Sequence, residues 1–127
     1  MADYLLDTNV LILHLRNRPE LTARLTTWTE TSMLYVSVVT RTEVLAGMHP
    51  QEEARTLELL DSLMSLAVDE AIADRAGRLI YQYGRQGVQL SFPDVLIAAT
   101  ALQYDLTLVT TNAKHFPIPE LHISLPE

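Results

Sequence analysis

The stretch YLLDTNVLILHL, residues 4–15, decides the fold. Its first three residues make a short apolar run suited to a buried strand, and Val10 to Leu15 reads as an apolar helix with Thr8 or Asn9 as its cap. Strand passes to helix within one turn, and an acid, Asp7, stands at the junction. An unpaired buried carboxylate is costly, so a chain that sets one between apolar runs uses it as a cap, in an ion pair, on a metal or in a reaction.

The same strand, turn and helix recur further on. MLYVSVV (33–39), with Ser37 at its end, reads as a second strand, and TRTEVLAG (40–47) as a helix that stops at Gly47. Before it, Pro19 opens a helix carrying Leu21, Leu25 and Trp28 on one face. After Pro50, a helix from Glu52 to Ser65 carries Leu57, Leu60 and Met64, then comes the apolar LAV and a longer helix from Glu70 to about Gln86. Pro93 and Asp94 open another helix, TLVTT is a strand from Thr107, and a last short strand covers His122 to Ser124. Strands alternating with helices predict an α/β fold, a three-layer α/β/α sandwich with a central, mainly parallel sheet. No repeat or linker divides residues 1–127, which read as a single domain. In such sheets ligands sit beyond the carboxyl ends of the strands.

Composition narrows the chemistry. The chain has no cysteine, so thiol nucleophiles, disulfides and cysteine-ligated zinc are excluded. Its four histidines, at 14, 49, 115 and 122, share no metal-ligand spacing. Hard oxygen ligands are what remain. The longest apolar runs are too short to span a bilayer and the start of the chain lacks a basic leader, which points to a cytoplasmic protein. A net charge of −7 argues against simple electrostatic capture of nucleic acid. Any phosphodiester substrate then needs positive charge from elsewhere.

Three acids fall where the sheet rule points. Asp7 follows the first strand, Glu43 lies six residues after Ser37 in the helix behind the second strand, and Asp94 stands in the first turn of the last major helix. Asn112 follows the strand LVTT. Carboxylates converging to about 5 Å repel by roughly 3 kcal/mol per pair at an effective dielectric of about 20. A divalent cation removes that difficulty, and oxygen ligands suit Mg²⁺ or Mn²⁺, which keep several waters. Such an ion can activate a water and offset charge on a phosphodiester.

The stretches LLDTNVLI, VSVVTRTEVLAG and FPDVLIAATALQYDLTLVTTNAKHF, in that order, resemble the PIN-domain family, and especially its VapC-like toxins of type II toxin–antitoxin modules. The resemblance covers essentially the whole chain. It implies a Mg²⁺- or Mn²⁺-dependent endoribonuclease acting on RNA, restrained by a cognate antitoxin and forming a homodimer. By position Asp7, Glu43 and Asp94 match the family's three core acids, as catalytic and metal-binding residues. Thr110 and Asn112 match its T-x-[DN] element, and Asn112 is neutral where many members carry a fourth acid. The resemblance therefore implies one firmly held ion and at most a weak second site at Asn112, Thr110 and Asn9.

Plainer readings stand beside each residue. Asp7 alone fits a helix cap, Glu43 a surface glutamate, and Asp94 an ordinary Pro-Asp helix start. Only the set of three favours chemistry. Thr8, Asn9, Ser37 and Thr110 serve equally as caps or as hydrogen-bond supports for the acids. Arg75, Arg78 and Arg85 suit a solvated helix face, whereas Arg16 and Arg18, just after the first acidic motif, and Arg41, within the second, are candidate phosphate contacts. A haloacid dehalogenase-type hydrolase needs a second Asp at position 9, which is Asn. The competing non-enzymatic reading is a degenerate PIN-like or receiver-like interaction module; a receiver leaves Glu43 and Asp94 unexplained.

Overall fold

The computed structural model describes residues 3–16, 23, 25–27, 29–30 and 32–125. Its elements are β1 (Tyr4–Leu6), α1 (Thr8–Leu15), β2 (Leu34–Ser37), α2 (Val38–Gly47), a 3-10 turn (Pro50–Glu52), α3 (Glu53–Asp61) and β3 (Met64–Leu66). They continue with α4 (Glu70–Arg85), α5 (Phe92–Gln103), β4 (Thr107–Val109), a second 3-10 turn (Ala113–His115) and β5 (Ile123–Ser124). Residues 25–27 are also helical and Leu25 is buried; Arg18, Pro19, Leu21 and Trp28 lie outside the described residues.

The five strands form one sheet in the order β3-β2-β1-β4-β5, with every pairing parallel. Successive strand residues point to opposite faces, and the sequence uses both. Leu5 and Leu108 enter a core under α4 and α5, together with Ile72, Ala76, Val95 and Ala98. Their neighbours Leu6 and Val109 enter a second core under α1, α2 and α3, with Val10, Leu11, Val44 and Leu60. These strand residues are fully buried, and each apolar side chain so placed contributes about 1.5–3 kcal/mol. The result is the three-layer α/β/α arrangement expected of a β-α repeat. Among the described residues, no helix is long and apolar enough to cross a membrane.

Several boundaries differ from the sequence reading. Helix α1 begins at Thr8 because Asp7, rather than Thr8 or Asn9, is its cap. Val38 and Val39 belong to α2 and not to a strand: Ser37 Oγ accepts the Val39 N–H at 3.1 Å and starts the helix there. The helix expected from Glu52 to Ser65 ends at Asp61, and Met64 sits instead in β3, paired with Tyr35 and half exposed at the sheet edge. Leu57, expected on the buried face, is also exposed.

The order 3-2-1-4-5 matters for function. The chain moves outward from β1 through β2 and β3, then returns by α4 and α5 to pair β4 on the other side of β1. Between β1 and β4 the connections diverge to opposite sides, which leaves a crevice at their carboxyl ends, where open α/β sheets bind ligands.

Candidate active site

Asp7 lies at that switch point. Its backbone N–H continues the β1–β4 ladder, donating to the Val109 carbonyl at 2.9 Å, so the residue is fixed before its side chain does anything. One carboxylate oxygen, Oδ1, accepts the Thr8 N–H at 2.8 Å as the α1 cap. The other, Oδ2, accepts the Thr110 hydroxyl at 2.8 Å from the end of β4. Cap and functional candidate are therefore one residue using two oxygens.

Glu43 reaches the same place through Thr8. The Thr8 hydroxyl donates to Glu43 Oε1 at 2.6 Å, a length typical of a charge-assisted bond. Thr8 Oγ1 also lies 3.2 Å from Thr40 Oγ1; since the Thr8 proton goes to Glu43, Thr40 is the donor in that pair. Thr40 is fully buried one turn before Glu43, a support that the sequence reading did not single out. Its signal was present, as a hydroxyl residue three positions before the acid on the same helix face.

Asp94 is the third residue of α5, whose first turn is closed by Ser91 Oγ accepting the Asp94 N–H at 3.3 Å. Asp94 Oδ2 stands 3.9 Å from His115 Nδ1, a neighbour left outside the sequence candidates. The Thr110 hydroxyl that holds Asp7 also accepts the Asn112 N–H at 3.0 Å, which fixes the turn carrying Asn112. Asn9 is half-buried in the first turn of α1, and among the described residues no hydrogen bond ties its side chain to the acids.

The electrostatics agree with this convergence. Burial pushes the Asp7 carboxyl above its ordinary value; the Thr110 and Thr8 hydrogen bonds pull it back, and the charges of Asp94 and Glu43 push it up again. Asp7 is 4% exposed, so it has little solvent with which to share that burden. Among the described residues, no three acidic or histidine side chains form a ready-made ligand cage. Mg²⁺ or Mn²⁺ does not need one, being held by one or two carboxylates with waters completing the shell. Asp7, Glu43 and Asp94 offer hard carboxylate oxygens, the donor type that such ions take.

Arg41 does not face this site. Its guanidinium is held by Asp61 Oδ1 at 3.3 Å, with the Leu60 carbonyl and Ser65 hydroxyl each at 3.2 Å, so it ties α2 to α3 and β3. Arg16 lines a small cleft with Ile12, Val44, Glu52 and Thr56, and none of Asp7, Glu43 and Asp94 lines it.

Residues 4–119 match the sequence profile of the PIN domain. The chain belongs to the PIN-domain family. It is 38% identical over 116 residues to the protein named Ribonuclease VapC10 of Mycobacterium tuberculosis, covering 91% of this chain and 87% of that one. It is 34% identical over 119 residues to Ribonuclease VapC19 of the same organism, covering 92% and 95%. Among solved structures, a toxin-antitoxin complex from Klebsiella pneumoniae contains a chain with TM-score 0.82 and 31% identity, with 98% of each chain covered. The PIN fold thus accounts for the strand order and for the crevice at which Asp7, Thr8, Glu43 and Thr110 are bonded together.

Proposed function

We propose that this PIN protein is a Mg²⁺- or Mn²⁺-dependent endoribonuclease and the toxin of a type II toxin–antitoxin pair, restrained by an antitoxin and working as a homodimer. The observation that carries the reading is Asp7: buried at the β1–β4 crevice, bonded through both oxygens, and with its carboxyl raised chiefly by that burial and further by the charges of Asp94 and Glu43. The relatives named as ribonucleases and the neighbour described as a toxin-antitoxin complex support it from outside.

In this mechanism Asp7 and Asp94 are the principal ligands of the cation, and Glu43 orients the attacking water or holds a weak second ion. When bound, the cation supplies the positive charge that the acids lack and lowers the pKa of water for attack on phosphorus. Thr110 and Thr8 keep Asp7 from turning, and Thr8 does the same for Glu43. Asn112 offers a carbonyl oxygen without charge, so it would hold a second ion weakly at most.

Cleavage of structured RNA by the purified chain, with Mg²⁺ or Mn²⁺ and beside Asp7→Asn and Asp94→Asn, tests the proposal. Cation-dependent cutting by the wild type alone is expected. Cutting that survives both substitutions or a chelator contradicts it. A degenerate, non-enzymatic PIN module is favoured by one observation, the absence of a ready three-ligand cage among the described residues. That reading predicts no cutting and no Mn²⁺ binding.

A further inference from the structure

Beside Asp94 the surface opens into a cleft of about 360 Å³, lined by Gln89, Leu90, Ser91, Lys114, His115 and Pro117 among others. Two separate devices build its walls. On one side Gly87, in the left-handed region at φ 80°, closes α4: its N–H donates to the Gly84 carbonyl at 3.1 Å and the Val88 N–H to the Tyr83 carbonyl at 2.9 Å. That paired closure sends 88–91 across to Ser91, the cap of α5. On the other side the 3-10 turn is closed by the His115 N–H on the Asn112 carbonyl at 2.9 Å. Phe116 and Ile118 are buried beneath it, so Lys114 and His115 are left exposed at the rim.

The charge pattern makes this wall unusual. Lys114 is the only lysine in a chain of net charge −7. Several arginines are committed elsewhere: Arg41 to Asp61, Arg75 to Gln103, and Arg85 to Tyr81, over whose ring it sits. Lys114 makes no ion pair among the described residues and lines the same cleft as Asp94. An RNA strand cut at the acid cluster must continue past it, and the acids repel its next phosphate. A cation is needed at the point where the strand leaves. Gln89 offers both amide donor and acceptor, and Ser91 keeps its hydroxyl proton because its oxygen accepts the Asp94 N–H. Groups of this kind read the edge of an unstacked base and the ribose 2′-hydroxyl.

We infer that this cleft seats the nucleotide flanking the cleaved bond of single-stranded RNA, with Lys114 on its phosphate and Gln89 and Ser91 on its base and ribose. The inference rests on the ribonuclease reading above. Its test is equilibrium binding of a short fluorescein-labelled single-stranded RNA in chelator, followed by anisotropy across a salt series. Lys114→Ala should weaken binding about three- to tenfold and reduce the slope of log affinity against log salt by about 0.7, one phosphate contact on a single strand. Gln89→Ala should weaken binding with the slope unchanged. Arg78→Ala removes the same unit of charge from the exposed face of α4 and should alter neither. Lys114 lies on an exposed turn, so an unchanged melting temperature is expected for Lys114→Ala. A Lys114→Ala slope equal to that of a wild type that still cuts RNA overturns the subsite and leaves the ribonuclease reading intact. A wild type that neither binds nor cuts RNA overturns both.

Discussion

At the scale of single residues, Asp7 holds a conflict between stability and function. Burial and the neighbouring acids raise its pKa above the ordinary 3.8, so the native state binds this proton more tightly than the unfolded chain does. Between the two values the folded form carries more protons, so stability present at low pH is lost as pH rises through the native value. Asp7→Asn is neutral throughout, keeps an oxygen for the Thr8 N–H, and should melt higher than wild type at neutral pH. Differential scanning calorimetry decides this, and a lower melting temperature contradicts the account. Metal ligation needs the ionised carboxylate, so cleavage should fall as pH drops through that same raised value. Thr110→Val keeps the side-chain shape but removes the donor to Asp7 and the acceptor for the Asn112 N–H. Its cost should be about 1–3 kcal/mol in urea denaturation, with cation affinity lowered roughly 10- to 100-fold. A midpoint equal to wild type would show that Thr110 does not support the site.

At the scale of elements, the ends of helices carry most of the local information. Helix α5 closes with the Asp105 N–H on the Leu102 carbonyl at 3.3 Å and the Leu106 N–H on the Ala101 carbonyl at 2.8 Å, which forces Asp105 to φ 54°. A non-glycine residue there is strained, and a negative charge opposes the helix dipole. Asp105→Gly should therefore stabilise the fold by about 0.5–1 kcal/mol, read as a shift in denaturation midpoint; a destabilised variant contradicts this reading. Caps also mark what the sequence made legible and what it hid. Ser37 was visible as a strand end, yet the β-branched pair Val38 and Val39 hid that its hydroxyl starts α2 at once. Met64 sits at helical spacing from Leu57 and Leu60, and only its pairing with distant Tyr35 makes it strand. Local periodicity carries no record of that long-range bond.

At the scale of the whole molecule, the β-α alternation legible in the sequence predicts Asp7, Glu43, Asp94 and Asn112 at one edge of the sheet, and the strand order lets Thr8 join Asp7 to Glu43 and Thr110 join Asp7 to the turn of Asn112. The sequence could not show that β4 lies beside β1, the pairing that brings Thr110 to Asp7. Nor could it show His115 beside Asp94, because that contact depends on how the turn after β4 packs against the start of α5. A ligand that binds only the folded state stabilises it by mass action, so saturating Mn²⁺ should raise the melting temperature of the wild type, with about 2.7 kcal/mol at a hundredfold excess over Kd. The most direct test of the central claim, that Asp7 and Asp94 hold a single divalent cation at the β1–β4 crevice, is calorimetric titration of Mn²⁺ into the wild type and Asp7→Asn. One saturable site is expected in the wild type and none in the variant. Equal Mn²⁺ binding by both proteins would contradict it.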